Sequence, residues 1–358
     1  MPLVAHNNLP AFAKLQSEGI RVLDPAAAQQ QDIRELHIGL LNMMPDAALE
    51  ATERQFLRLI GKSNPIAQFY IHPFTVNSLE RGVEARQYID QYYENFEDLQ
   101  QQGLDALIIT GANITQPALS KEPFWNELIA VVDWANQNVT STLCSCLATH
   151  AVLEFQYKQL RNKLDVKKWG VFKHDITMQE HPLMRDINTH FDVPQSRWNS
   201  VYPEQFEQAG LKILVTGNDD FVHMATSSDG FRSVFFQGHP EYDTISLLKE
   251  YKREVNTYLA GNGERPPFPE RYFGDFTKAV IDEYYLRLDK ARASNKPAPK
   301  FPEELILPNL RNTWHDTGCA VFGNWIGLIY QLTHRERQIP FMDHIDPEFP
   351  LASLGWNG

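Results

Sequence analysis

Ala106-Leu107-Ile108-Ile109 is a run of apolar residues that ends in Thr110-Gly111. A strand without polar alternation has no face to give to water. It must be covered on both sides, which is the condition of a parallel sheet layered between helices. The same pattern recurs along the chain. Leu36–Leu41 reads as a strand ending in the turn-like Asn42-Met43-Met44-Pro45-Asp46, and Ala67–Ile71 and Val139–Cys144 read as further strands. Between them, Phe56, Leu59 and Ile60 share one helical face before a stop at Gly61. A helix over 123–138 has Pro123 near its start, and another helical stretch runs to about Phe155. Strands are expected at Leu211–Val215, Val222–Ala225 and Val234–Gln237, and a helix over Thr244–Leu259. This alternation predicts an α/β fold with a doubly wound, mostly parallel sheet.

The ends of the chain read differently. Residues 1–35 are mixed and polar, with glutamines at Gln29–Gln31, and suit an N-terminal arm packed on a catalytic domain over 36–261. After Gly261, three prolines (Pro266, Pro267, Pro269) precede a charged helical stretch near Lys278–Lys290 and a polar linker. We read 262–312 as a peripheral excursion and 313–358, with its aromatics around Trp314–Tyr330, as a C-terminal segment returning to the main body.

Composition narrows the function. At 358 residues with 43% hydrophobic content, the chain has ample core material. A net charge of -12 argues against a nucleic-acid backbone binder. No apolar run approaches the roughly 18 residues of a membrane span. The start of the chain has no secretory pattern. The three cysteines, Cys144, Cys146 and Cys319, suit neither a disulfide framework nor a zinc site, so a cytoplasmic protein is expected. No metal is expected, because no His, Cys and carboxylate cluster has ligand spacing.

Two stretches carry chemistry. In Ser141-Thr142-Leu143-Cys144-Ser145-Cys146-Leu147, a strand gives way to a helix at Cys146. A thiol there sits at the carboxyl edge of the sheet and at a helix N-terminus, whose dipole favours the thiolate. The following N–H groups are placed to hold an oxyanion, as in a nucleophile elbow. Cys144 falls within the strand and reads as packing; Cys319 reads as structural. About 90 residues on, Gly238-His239-Pro240-Glu241 closes another apolar strand. A His with a carboxylate two residues away is a base with its orienter. Parallel strand ends share an edge, so Cys146, His239 and Glu241 form a candidate thiol triad.

With these motifs the chain resembles the class I glutamine amidotransferase-like superfamily, a flavodoxin-like α/β fold. More closely it is similar to the homoserine O-acyltransferase (homoserine O-succinyltransferase) family of methionine biosynthesis. The resemblance covers nearly the whole chain. It runs through Leu41-Asn42-Met43-Met44-Pro45, Asn95-Phe96-Glu97-Asp98, Ile109-Thr110-Gly111-Ala112, Pro194-Gln195-Ser196-Arg197 and Gly238-His239-Pro240-Glu241-Tyr242-Asp243. It implies that Cys146 carries the acyl group, with His239 as proton acceptor and Glu241 as its partner. Lys167, Ser196 and Arg253 match substrate-binding positions, and backbone N–H groups of Leu147 and Gly111 match an oxyanion hole. It further implies L-homoserine and an acyl-CoA as substrates, no tightly bound cofactor, and a homodimer.

The chain departs from the family pattern in four places. Leu147 and His150 stand where the family has Trp and Gln. Asp46-Ala47 replaces a lysine pair. The stretch 270–305 is extra. Thr115 occupies the position that sets acyl choice, where Gly goes with succinyl donors and Glu with acetyl donors. Thr is neutral and modest in size, so the reading leans to succinyl-CoA, with acetyl-CoA as the alternative. A glutamine amidotransferase subunit and a non-enzymatic binding protein on the same scaffold are the readings from other classes.

Overall fold

The computed structural model describes residues 3–31, 33–63, 67–218, 221–356 and 358. Its strands are β1 (Leu3–Val4), β2 (Val22–Leu23), β3 (Glu35–Leu41), β4 (Gln68–Phe74), β5 (Ala106–Ile109), β6 (Ser141–Ser145), β7 (Asn162–Ile176), β8 (His190–Ser200), β9 (Lys212–Gly217), β10 (Val222–Thr226) and β11 (Ser233–Phe236). They form a sheet of order β2-β1-β4-β3-β5-β6-β11-β10-β9-β7-β8. From β2 to β11 every pair is parallel; from β11 to β8 every pair is antiparallel. The sheet is thus doubly wound and largely parallel, as its apolar strands predict. β3, β5 and β6 are buried almost throughout.

Each face of the parallel half has its own core. On one, Phe56, Leu59 and Ile60 of the helix Leu49–Ser63 pack with Phe322, Trp325 and Ile329 of the helix His315–Leu332. On the other, Leu128, Val131 and Val132 of the helix Trp125–Asn138 join Ala148, Ala151 and Val152 of the helix Leu147–Tyr157. Burial on both faces is what the unalternating strands require.

Two features were not legible as strands. The first residues give the sheet β1 and β2 at its edge, so this segment does more than pack on the outside. The long β7–β8 ribbon lies in a polar stretch with little alternation, and its register shifts between Lys163 and Lys168. The 262–312 stretch contains a helix Asp275–Ala293, longer than the charged stretch suggested. Its Ile281, Tyr284, Tyr285 and Leu288 form a third core with Tyr251 and Val255 of the helix Ser246–Leu259 and with Trp169 and Val171 of β7.

Candidate active site

Cys146 stands between β6 and the helix Leu147–Tyr157 with φ 52° and ψ -108°. That is a conformation non-glycine residues rarely adopt, at a cost of about 1–3 kcal/mol. The surroundings hold it there. Its N–H donates to the Phe236 carbonyl at the end of β11 (2.7 Å), and Thr149 Oγ1 lies 2.9 Å from the carbonyls of both Cys144 and Phe236. Cys144 is buried within β6, and burial pushes its thiol pKa up. It packs, and Cys146 is the thiol that reaches the edge. Leu147 N opens the helix, where N–H groups lack helical partners. A Cβ placed on Gly111 would stand 3.9 Å from Leu147 N and 3.8 Å from Cys146 Cβ, so the Gly111 backbone lies against the elbow.

β11 pairs parallel with β6, Phe236 opposite Ser145. This register brings His239 to the elbow. Its N–H donates to the Pro194 carbonyl (2.9 Å), and Nδ1 lies 2.7 Å from Glu241 Oε1. Nε2 is buried without a hydrogen-bond partner, while the Cys146 thiol is near enough to act on the ring's charge. Burial works against a charged imidazole here, but Glu241 first and Cys146 second outweigh it, and the pKa of His239 rises well above its usual value. Gly238 is needed for close approach, since a Cβ there would meet Gln195 Nε2 at 2.5 Å. Its φ is not in the left-handed region, so the glycine supplies space here and not an unusual backbone conformation. The C-terminal helix braces the same turn from behind. Trp314 Nε1 donates to the Tyr242 carbonyl (2.8 Å), and Gly318 packs so closely that a Cβ would lie 2.9 Å from the Pro240 carbonyl oxygen.

Beside this group lies a second one, centred on Glu250. Ser196 Oγ donates to Glu250 Oε2 (2.6 Å), Lys167 Nζ lies 3.3 Å from the same oxygen, and Tyr242 Oη donates to Oε1 (2.8 Å). Burial opposes the carboxylate's charge; Lys167, then Ser196 and Tyr242, overcome it and leave the pKa below its ordinary value. Lys167 also sits over the Trp169 ring, 4.2 Å from its centre. Tyr242 joins the two groups, for its ring stacks on His239 with centroids 4.3 Å apart. Glu250 and Tyr242 escaped the sequence reading. The Glu250-Tyr251-Lys252-Arg253 stretch drew attention only to its arginine.

Arg253 itself does not join this cluster. Its side chain is 67% exposed and lies 3.6 Å from Glu254, although it follows Glu250 by one helical turn. Thr115 lies in an exposed loop, where Glu122 accepts from its N–H (2.6 Å) and its hydroxyl (3.1 Å). Arg161, also missed, donates to the Pro117 carbonyl of that loop (3.2 Å) and interacts electrostatically with Glu154, Glu122 and Cys146. The departures from the family pattern have structural places. His150 is buried with Nε2 2.9 Å from Gln237 Oε1, and burial lowers its pKa to about 3, so it stays neutral. Asp46 accepts from Arg81 (3.2 Å) and from the Gly82 N–H (2.8 Å). Spacing suggested no metal cluster, yet the tertiary structure gathers His6, His72 and Glu94, with ligand-capable atoms within 4.8 Å of one another.

Fold and site together define a doubly wound α/β protein with a strained cysteine elbow facing a buried His–Glu pair. Comparison with known proteins is more specific. A sequence model of the homoserine O-succinyltransferase family matches residues 2–335. The homoserine O-succinyltransferase of Allochromatium vinosum is 60% identical over 98% of this chain and 99% of its own length. That of Nitrosococcus oceani is 57% identical over 98% and 99%. The chain belongs to the homoserine O-succinyltransferase family, a family of acyltransferases. Among solved structures, similarity extends to a glutamine amidotransferase from Methylobacillus flagellatus at 10% identity, covering 87% of this chain and 98% of that one with a TM-score of 0.44. Another from Thermotoga maritima has 12% identity, covers 84% and 98%, and gives a TM-score of 0.40. Among the described residues no helix is long and apolar enough to cross a membrane.

Proposed function

We propose that this chain transfers the succinyl group of succinyl-CoA to the hydroxyl of L-homoserine through a thioester on Cys146. The observation that carries the proposal is the pairing of two groups through Tyr242: a thiol with its base, and a half-buried carboxylate–lysine–serine cluster suited to a zwitterionic amino acid. In the first half-reaction Cys146 Sγ attacks the thioester carbon while its proton passes to His239 Nε2. The bond to CoA sulfur breaks, and His239 returns the proton to that sulfur. Backbone N–H groups of Leu147 and Gly111 hold the oxyanion, where one donor is typically worth about 2.7–4 kcal/mol. One thioester replaces another, so the step is nearly balanced. In the second half-reaction His239 takes the homoserine hydroxyl proton, the oxygen attacks the acyl carbon, the bond from that carbon to Cys146 Sγ breaks, and the proton returns to Sγ. Glu241 fixes the ring by accepting from Nδ1–H and supports the imidazolium.

Glu250 receives the homoserine ammonium, which releases Lys167 to its carboxylate. Ser196 completes the pocket, and Arg253 reaches back one turn to the same carboxylate, a pairing that suits a guanidinium. At the donor side, Thr115 is itself neutral but carries the Glu122 carboxylate on its N–H and hydroxyl, and Arg161 beside its loop is the cation that offsets Glu122 and would meet a succinyl carboxylate. Acyl-CoA acts as a diffusing co-substrate with no tightly bound cofactor; a cytoplasmic homodimer completes the proposal. Intact-protein mass spectrometry after incubation with each acyl-CoA tests it. A succinyl increment on Cys146, discharged by homoserine, is expected. An adduct on Cys144, or acylation only by acetyl-CoA, would overturn the scheme in its nucleophile or its donor. Glutaminase activity without acylation would mark an amidotransferase instead.

A further inference from the structure

On the parallel half of the sheet, three strands from β6, two carboxylates and two imidazoles form a chain. His37 Nε2 lies 3.3 Å from Glu35 Oε2, His37 Nδ1 lies 2.9 Å from His72 Nε2, and His72 Nδ1 lies 2.9 Å from Glu94 Oε1. All four ring nitrogens of the His37–His72 pair thus face a polar partner. Tyr70 supports the Glu35 end by donating to its other oxygen (3.1 Å) and by stacking on His37. The His72 ring lies between His37 and Glu94, with Nδ1 turned to the carboxylate. An imidazole nitrogen beside a carboxylate oxygen is a donor pair that a divalent transition metal takes.

A third imidazole faces the same point. The His6 ring stands 4.8 Å from that of His72, centre to centre. Its Nδ1 is engaged with the Val4 carbonyl (3.1 Å), which leaves Nε2 as the lone-pair nitrogen, 3.3 Å from the Asn7 amide. Asn7 also donates to the Ile71 carbonyl and keeps that bond if it gives up the ring. The geometry points to a divalent transition-metal site made by His6, His72 and Glu94, with His37 and Glu35 as its outer partners. Zinc held by imidazole nitrogen and carboxylate oxygen has bonds of about 2.0–2.2 Å, so its ligands stand about 3.4 Å apart. The present spread of up to 4.8 Å closes by small side-chain rotations. A ligating imidazole whose other N–H is held by a further partner is the usual arrangement around such ions, and two imidazoles with a carboxylate suit zinc among common cations. Because His6 follows β1, which joins the edge strand β2 to β4, bound metal would pin the N-terminal segment to β4. The site is separate from the proposed reaction and stands or falls without it.

The test uses tag-free full-length protein carrying Cys146→Ser, so that the elbow thiol contributes no ligand. After chelation it is titrated with zinc sulfate and with cobalt chloride. Equimolar zinc uptake, a visible cobalt absorption band and a zinc-dependent rise in Tm are expected. His6→Ala and Glu94→Gln in the same background should abolish all three, while His37→Ala should weaken zinc affinity about 10- to 100-fold. Equal Tm values for parent and variants in chelator show that the variants fold. No zinc uptake by the parent, or uptake by His6→Ala and Glu94→Gln equal to it, overturns the site.

Discussion

Cys146 and His239 stand at the ends of two neighbouring parallel strands, each a residue or a few beyond a short buried run. Lys167 and Ser196 come instead from the two strands of an antiparallel ribbon and Glu250 from a helix more than fifty positions further on, and they meet only at its carboxylate. The first group is fixed by backbone: a strained φ, a strand register and a glycine that admits close packing. The second is fixed by side chains that neutralise one another. Reaction chemistry, which tolerates little movement, rests on the rigid half of the sheet. In the proposed scheme, recognition rests on charges that a zwitterionic substrate exchanges for its own.

This contrast can be broken by mutation. Cys146→Ser should lower turnover by about 10⁴-fold or more, as loss of a nucleophile does; near-native succinyl transfer by this variant would end the covalent scheme. Glu241→Gln should cost about 10²- to 10⁴-fold in kcat with the fold intact. It should also lower the His239 pKa, because Glu241 is the main group that raises it. The acid side of the kcat/KM profile, where a protonated His239 cannot act as base, should move to lower pH. Glu250→Gln separates the two groups. The KM for homoserine should rise by about tenfold or more, since a hydrogen bond to a charged group is worth about 1.5–3 kcal/mol, while acylation by succinyl-CoA in the absence of acceptor proceeds as in the parent. Equal damage to acylation would show that the groups are one unit.

Gly318→Ala probes the brace behind the His239 turn. A Cβ 2.9 Å from the Pro240 carbonyl oxygen should destabilise the protein by about 1–3 kcal/mol, read as a lower denaturation midpoint. The smallest effect concerns pH. Glu250 has a folded pKa below its ordinary 4.5, so its contribution to stability is complete above that value and is lost as pH falls through the lowered one. Glu250→Gln should therefore flatten the pH dependence of Tm below about pH 4.5.

Much of the rigid half was legible. Unalternating strands declare that both faces are covered, and a cysteine between strand and helix patterns declares its edge position. A His and a carboxylate two residues apart find each other locally. The ribbon was not legible, because Asn162–Ile176 is polar along its first half and takes its shape from pairing with residues far away. Glu250 was overlooked since nothing local distinguishes a helical glutamate that will be buried from one that faces water. Arg253 is the converse case: its sequence match is good, yet its side chain stands in solvent one helical turn from Glu250.

By itself, then, the sequence determined the α/β class, the elbow at Cys146 and the His239–Glu241 pair, all of which follow from short-range patterning of strands, glycine and charge. Tertiary structure alone decided which groups meet across distance. It put Lys167, Ser196 and Tyr242 on Glu250, set Gly318 behind Pro240, and collected His6, His72 and Glu94 at one place. Burial is the physical reason. A charge or an imidazole removed from water must find partners, and those partners are chosen by packing rather than by neighbours in the chain.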